Sequence, residues 1–131
     1  MTKKLKLFRC EICKNLVEVV IEGDGTLVCC GEDMKELIPK NNDEMKEKHV
    51  PVIENYGTSH VVKVGAQPHP MTDEHYIQFI EIISNDKRYV KRKYLYPNEE
   101  PEMVIKCMLE NDFEAREFCN IHMLYSNREV E

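Results

Sequence analysis

Two groups of residues in this 131-residue chain have the types and spacing of metal ligands. The first group is Cys10-Glu-Ile-Cys13 followed by the adjacent pair Cys29-Cys30. Four thiolates suit a tetrahedral site for zinc or a single iron ion, and their spacing leaves open which of the two metals binds. We expect the adjacency of Cys29 and Cys30 to strain the tetrahedron, because neighbouring side chains do not easily open the full angle between their sulfurs.

The second group combines histidines with one cysteine. Its members are His49, the pair His69 and His75 around a Pro turn, and the Cys-x-x-His motif formed by Cys119 and His122. Imidazole and thiolate together suit iron, zinc or copper. More than four such ligands disfavour tetrahedral zinc.

One histidine and one cysteine fit neither group. His60 lies in a β-branched run, and we interpret it as a surface or strand histidine. We interpret Cys107 as a buried thiol.

Charge and hydropathy narrow the class of protein. Eighteen Lys and Arg against 24 Asp and Glu give a formal net charge of −6, which argues against binding to nucleic acid or to anionic lipid. The 42% of apolar residues suffices for a modest core, and no run is long enough to span a membrane. The N-terminus lacks an apolar signal core. We therefore expect a cytoplasmic protein, whose cysteines serve as metal ligands or buried thiols and not as disulfides.

The cysteine and histidine groups belong to two expected domains. Residues 1–38 hold four of the six Cys and no His, whereas residues 39–131 hold all five His. Between the two groups, residues 39–44 form a polar stretch that is opened by Pro and that we interpret as a linker. A segment of about 38 residues buries too little apolar surface to fold unaided, so we expect metal to hold the first domain together and its uncovered strands to pair in a homodimer.

Strands are expected throughout. The first domain has one plausible strand, at residues 16–21. In the second domain, β-branched, aromatic or alternating patterns predict strands at 60–64, 76–83, 89–96 and 103–109, with a hairpin turn at Asn85-Asp86. Short strands separated by turns favour an antiparallel β-sandwich of about 90 residues, so the fold class is all-β.

The ordered combination of motifs resembles desulfoferrodoxin, the two-domain superoxide reductase family. The resemblance is carried by the two cysteine pairs, Glu47-Lys48-His49-Val50-Pro51, His69-Pro70-Met71-Thr72-x-x-His75 and Cys119-Asn120-x-His122, and it spans nearly the whole chain. It implies a desulforedoxin-like first domain with a distorted Fe(Cys)4 centre and an immunoglobulin-like β-sandwich with a catalytic iron. In the second site His49, His69, His75 and His122 are implied as equatorial ligands and Cys119 as the axial thiolate.

The same resemblance implies the activity. It is the one-electron reduction of superoxide to hydrogen peroxide without oxygen release, with superoxide binding opposite Cys119 and electrons coming from rubredoxin or a similar small carrier. Lys48 is implied as the electrostatic guide for superoxide, and Glu47 as a carboxylate that closes on the ferric iron after turnover. Without the resemblance, these two residues would be interpreted as a solvated charged pair.

Two positions depart from the family pattern, and two other functions compete. Met123 follows His122 where a small residue, usually Gly, is expected, and Phe79 stands where the family often has Trp. A zinc-ribbon adaptor would leave the histidines unexplained. A non-haem iron sensor would need an output surface such as a basic DNA-binding helix, and the sequence shows none.

Overall fold

The structure is a computed structural model that describes residues 2–42, 49–65, 69–106 and 112–128. The chain divides into two compact units, Met1–Ile38 and Pro39–Glu131. The expectation of an all-β fold is confirmed, and no helix occurs in the ranges described. It follows that none of these ranges contains a helix that could cross a membrane.

Residues 2–38 of the first unit form five short strands. They are β1 (Leu7–Arg9), β2 (Leu16–Glu18), β3 (Val28–Cys29), β4 (Glu32–Asp33) and β5 (Lys35–Leu37). The antiparallel sheet has the order β2-β1-β5, and β3 pairs with β4 in a separate hairpin. The buried apolar residues are few, which is the small core expected of a domain that relies on metal.

In the described residues of the second unit, seven strands form two antiparallel sheets. They are β6 (Pro51–Tyr56), β7 (Ser59–Val64), β8 (Ile77–Ile83), β9 (Val90–Tyr94), β10 (Glu102–Ile105), β11 (Glu114–Cys119) and β12 (Met123–Ser126). One sheet has the order β10-β7-β6 and the other the order β12-β11-β8-β9. Val62 and Met103 from the first sheet share one buried cluster with Ile80 and Ala115 from the second, so the core lies between the sheets. This is the sandwich that the strand pattern predicts.

Each predicted strand has an observed counterpart that differs at its ends, whereas β1, β3, β4, β5, β6, β11 and β12 were not predicted. Strand β8 begins one residue later than predicted, β9 is shorter at both ends, and β2 ends three residues early. The strand predicted at 103–109 is seen as β10, but residues 107–111, including Cys107, lie outside the described ranges. Lys40, in the segment interpreted as a linker, pairs with Tyr125 at the edge of β12.

Of the two interpretations of His60, a surface or a strand histidine, the strand is confirmed. His60 lies on β7, and its side chain is fully buried. The imidazole donates Nδ1–H to the Asn55 side-chain oxygen at 2.6 Å and meets the Phe113 ring edge-on. His60 alternates with Val62 and Val64 on the inward face of the strand, so the period of two carries it into the core.

Candidate metal centres

The four cysteines of the first unit converge on one point. Cys10 follows β1 and Cys13 lies in the next turn, while Cys29 ends β3 and Cys30 follows it. All four sulfurs lie within 4.8 Å of one another. A tetrahedron with metal–sulfur bonds near 2.3 Å has edges of about 3.8 Å. The sulfur separations of 3.5 Å for Cys13 and Cys29, and 3.9 Å for Cys29 and Cys30, fit that shell.

The adjacent cysteines are accommodated by the backbone. Cys30 and Gly31 join β3 to β4, and both have positive φ, 53° and 79°. A two-residue hairpin turn with two positive φ values suits the twist of the flanking strands, and glycine takes the second position without strain. The strain expected from the adjacency of Cys29 and Cys30 therefore falls on the φ of Cys30, because their sulfur separation is close to the ideal edge.

Backbone amides prepare Cys10 for metal binding. The N–H of Cys13 donates to the Cys10 sulfur at 3.4 Å. This hydrogen bond, helped by the amide of Ile12 and opposed by burial, lowers the pKa of Cys10 to about 6. The thiolate is the form that binds metal, so this turn favours the ligand state before metal arrives.

The histidines of the second unit form a closed ring. His49 contacts His69, His69 contacts His75, His75 contacts His122, and His122 contacts His49, with centroid distances of 4.5, 4.7, 5.2 and 4.8 Å. Every contact is edge-to-face, with interplanar angles from 69° to 85°. Four imidazoles that each meet two neighbours form a cyclic arrangement.

The separations between ligand atoms distinguish a square from a tetrahedron. Nε2 of His49 lies 2.9 Å from Nε2 of His69 and 3.1 Å from Nδ1 of His122. With metal–nitrogen bonds near 2.1 Å, ligands at right angles are about 3.0 Å apart and tetrahedral ligands about 3.4 Å. The observed distances match the right angle, so the site favours a metal with a square of imidazoles over tetrahedral zinc.

A fifth donor and a buried nitrogen complete the fit. The Cys119 sulfur belongs to the group of five ligand atoms that lie within 4.8 Å of one another, and its side chain is fully buried. Nε2 of His75 is buried and has no hydrogen-bond partner among the described residues. A buried nitrogen in that state is costly unless a metal accepts its lone pair. The donor set and the buried nitrogen therefore fit a metal ion with five protein ligands.

The sandwich brings the five ligands to one of its ends. His49 precedes β6, His69 follows β7, and His75 precedes β8. Cys119 ends β11, and His122 immediately precedes β12. Antiparallel pairing places these strand ends side by side within each sheet, and the contact of His49 with His122 brings the ends of the two sheets together.

Two hydrogen-bond arrangements orient the ligands from outside. The Pro70 carbonyl accepts Nδ1–H of His69 at 2.7 Å, which leaves the lone pair of that ring on Nε2. Asn120 donates from its side chain to the Glu74 carbonyl and accepts the N–H of Tyr76, both at 3.0 Å. The Asn120 side chain therefore hydrogen-bonds to the backbone on both sides of His75 and connects that segment to the Cys119–His122 turn.

Met123 adopts the conformation for which glycine is suited. It has a φ of 70°, and it pairs with Cys119 across the turn that carries His122. A side chain in this left-handed region costs about 1 kcal/mol or more. The turn forms with Met123 in place, and both of its ligands remain in the group of five.

The structure brings the nine predicted ligands together in two separate groups. The first comprises the four cysteines, and the second comprises the four histidines with Cys119. Glu47 and Lys48 lie outside the described residues, and His60 belongs to neither group. The sequence reasoning gave no role to Asn120, although its place between two candidate ligands was a usable signal. It missed Tyr125, which stacks on His49, and no local pattern marks that residue.

Comparisons with known proteins match both units. The family model described as desulfoferrodoxin matches residues 41–128, and the model of the desulfoferrodoxin N-terminal domain matches residues 2–37. A desulfoferrodoxin homolog of Methanothermobacter thermautotrophicus is 46% identical over 95% of this chain and 99% of its own. The desulfoferrodoxin of Syntrophotalea carbinolica is 45% identical over 97% of this chain and 98% of its own.

A solved structure agrees with these matches. The crystal structure of the superoxide reductase from Treponema pallidum superposes with a TM-score of 0.74 at 27% identity, covering 97% of this chain and 100% of that one. The two ligand groups also agree with the two iron sites of the family that the motifs resemble. The chain belongs to the desulfoferrodoxin family.

Proposed function

We propose that this chain is a superoxide reductase that converts superoxide to hydrogen peroxide at the site formed by the four histidines and Cys119. Each superoxide takes up one electron and two protons, and no oxygen is formed. The observation that carries the proposal is the square of four imidazoles with the buried Cys119 sulfur as a fifth donor, since five protein ligands leave room for a small sixth ligand. The similarity to a protein named superoxide reductase supports the same activity.

The metal of this site is proposed to be iron. His49, His69, His75, His122 and Cys119 would hold it, and the bound iron would supply the single electron through its ferrous and ferric states. Zinc has no such redox change. A thiolate ligand donates electron density to iron, as it does in haem enzymes. The full burial of Cys119 keeps water away from that sulfur.

The two charged residues before His49 are proposed to act on the substrate and on the site after turnover. Lys48 attracts the superoxide anion locally, in a chain whose formal net charge of −6 would otherwise repel it. Glu47 closes on the site once the electron has been transferred. Both assignments rest on sequence position and on the family resemblance.

The first unit is proposed to hold a second iron in an Fe(Cys)4 centre. Its sulfur separations fit a tetrahedral shell.

Val20, Ile21 and Val28 are exposed on this unit, and we propose that they pair with a second copy of the chain in a homodimer. A small carrier protein such as rubredoxin is the proposed electron source. The cytoplasm is the proposed compartment, since thiol ligands persist where cysteines stay reduced.

Product counting tests this function. The chemically pre-reduced protein is mixed with a known amount of superoxide in the absence of catalase, and peroxide and oxygen are measured together. A reductase yields one peroxide for each superoxide and no oxygen. Oxygen evolution at half the superoxide consumed would instead identify a dismutase. A colourless protein that contains only zinc and consumes no superoxide would identify the adaptor.

A further inference from the structure

A strip of positive charge and tyrosine lies on one edge of the second unit. It comprises strand β9 and its flanks, residues 87–96, with the sequence Lys-Arg-Tyr-Val-Lys-Arg-Lys-Tyr-Leu-Tyr. Five of its ten residues are Lys or Arg and none is acidic, in a chain whose formal net charge is −6. We call residues 87–96 the basic strip.

The basic strip is open to solvent. Among the strands that the structure describes, β9 is the outermost of its sheet and pairs only with β8. The side chains of Arg88, Lys91 and Lys93 are exposed, while Tyr89 and Tyr96 are 74% and 64% exposed. Exposed tyrosines beside arginine are typical of the residues that bind partner proteins most strongly.

One arginine of the strip serves the fold. Arg92 pairs with the fully buried Glu81 at 2.5 Å, and its guanidinium lies 5.5 Å from the centroid of the Phe79 ring. Arg116 holds the other oxygen of Glu81 at 2.6 Å. This arrangement anchors the middle of β9 to the sheet. The other Lys and Arg residues of the strip lie before and after Arg92 in the sequence.

The C-terminal end of the basic strip lies at the end of the sandwich that carries the histidine site. Tyr94 lies opposite Phe79 near the start of β8, the end at which the ligands gather. Just beyond the strip, the N–H of Asn98 donates to the Met71 carbonyl at 2.8 Å. Met71 lies between the ligands His69 and His75. A partner on the strip would therefore lie beside the segment that carries two of the five ligands.

We propose that the basic strip is the docking surface for an acidic one-electron carrier protein. The inference rests on the proposed function, in which every superoxide reduced consumes one electron that must be supplied from outside the chain. The reduced carrier loses that electron and the protein gains it, and no bond forms or breaks. The strip favours an acidic carrier because a local positive surface attracts a negative partner. Without the strip, the formal net charge of −6 would repel that partner.

Acidic residues at both ends limit the footprint of the partner. Asp86 precedes the strip, and its carboxylate accepts the Ser84 hydroxyl and the Arg88 amide. Glu99 and Glu100 follow it and are exposed. An acidic partner is thereby confined to the strip itself, residues 87–96. A second copy of this chain is disfavoured as the occupant because a symmetric pair across this edge would bring two basic strips face to face.

The test measures binding of an acidic rubredoxin, used as the probe, to the full iron-loaded protein by calorimetry. The double variant Arg88→Glu with Lys91→Glu reverses two exposed charges that lie on either side of Tyr89. We expect its dissociation constant to rise by about 10-fold or more at low ionic strength and to approach the wild-type value at about 0.5 M salt. Tyr89→Ser should weaken binding at both salt concentrations, because it removes apolar contact and not charge.

A matched control separates local from global charge. Lys3→Glu with Lys4→Glu changes the net charge by the same amount at exposed positions of the first unit, and it should leave the dissociation constant close to that of the wild type. Equal weakening by the two double variants would overturn the proposal, as would unchanged binding in the strip variant. Conversion of a wild-type dimer to a monomer by the strip variant in ultracentrifugation would assign the strip to self-association and also overturn it.

Superoxide consumption by the pre-reduced protein, measured without carrier, separates this proposal from the proposed function. The strip variant should consume superoxide at the rate of the Lys3→Glu, Lys4→Glu control. If the wild type consumes none, the proposed function fails. If it consumes superoxide normally and the strip variant binds the probe as tightly as the wild type, only the docking surface fails.

Discussion

The ring of Tyr125 lies parallel to the imidazole of His49, with their centroids 4.6 Å apart and their planes inclined by 16°. Tyr125 is itself held by the start of the second unit. The backbone carbonyl of Lys40 accepts the N–H of Ser126, and the backbone N–H of Lys40 donates to the Leu124 carbonyl. The Lys40 ammonium lies 5.5 Å from the centroid of the Tyr125 ring. The orientation of one ligand therefore depends on a residue 76 positions later in the chain and on a segment that precedes the ligand.

Replacing the Tyr125 ring should loosen His49. Tyr125→Leu removes the aromatic ring that stacks on His49. We expect the metal affinity of the histidine site to fall by about 10-fold, as is usual when a residue that orients a metal ligand is replaced. Tyr125→Phe keeps the face and should stay within about 3-fold of the wild type. Competition with a chelator measures both. Equal losses in the two variants would assign the effect to the hydroxyl and contradict the role of stacking.

Removing the Asn120 side chain should release His75. Asn120→Ala deletes two hydrogen bonds that hold the backbone on both sides of that ligand, and we expect it to cost about 1–3 kcal/mol of unfolding free energy. Asn120→Asp keeps the acceptor for Tyr76 but places a carboxylate against the Glu74 carbonyl, so it should restore little. Denaturant unfolding of the metal-free protein measures the effect. A stability equal to that of the wild type in Asn120→Ala would show that the turn holds without this side chain.

Glycine at position 123 should stabilise the turn that carries His122. Met123 has a φ of 70°, which glycine adopts without steric cost. We expect Met123→Gly to raise the unfolding free energy by roughly 0.5–1 kcal/mol after its lost packing is subtracted, and Met123→Val to lower it because a branched side chain fits this region poorly. Chemical denaturation of both variants checks the order. A less stable glycine variant would mean that the packing of Met123 outweighs its backbone strain.

Charge at position 48 should govern the encounter with superoxide. Lys48→Ile should slow the second-order reaction by about 10-fold or more, and the wild-type rate should fall with added salt as screening shortens the reach of the charge. The rate of the variant should stay flat or rise with salt. Rapid mixing across a range of ionic strengths gives both slopes. Equal slopes would return Lys48 to the interpretation of a solvated residue beside His49.

The sequence predicted the ligands better than their arrangement. Cys-x-x-Cys and Cys-x-x-His are local spacings, so short stretches of chain identify Cys10, Cys13, Cys119 and His122. The cyclic order of the histidines depends instead on pairing between distant strands, such as β11 with β8, and no local pattern encodes it.

Burial and support were harder to predict than chemistry. In strand β7, His60, Val62 and Val64 occupy every second position and share the inward face. The two-residue period of a strand therefore predicts a core position for His60. The support of His49 by Tyr125 arises only when β12 packs beside the segment at Lys40. Contacts of this range follow from the assembled sheets and not from residue type.

A pair of serine variants tests most directly whether the histidine site reduces superoxide and the four-cysteine site is a separate centre. Cys119→Ser replaces the buried thiolate of the histidine site, and Cys13→Ser removes one sulfur of the four-cysteine site. Both variants are pre-reduced and mixed with superoxide, while the visible spectrum and the iron content are recorded. Cys119→Ser should lose superoxide reduction and keep the thiolate-to-iron bands of the Fe(Cys)4 centre, whereas Cys13→Ser should lose those bands and keep the reaction. Full superoxide reduction by Cys119→Ser, or its loss in Cys13→Ser with the second iron still bound, would contradict a reaction centre at the histidine site.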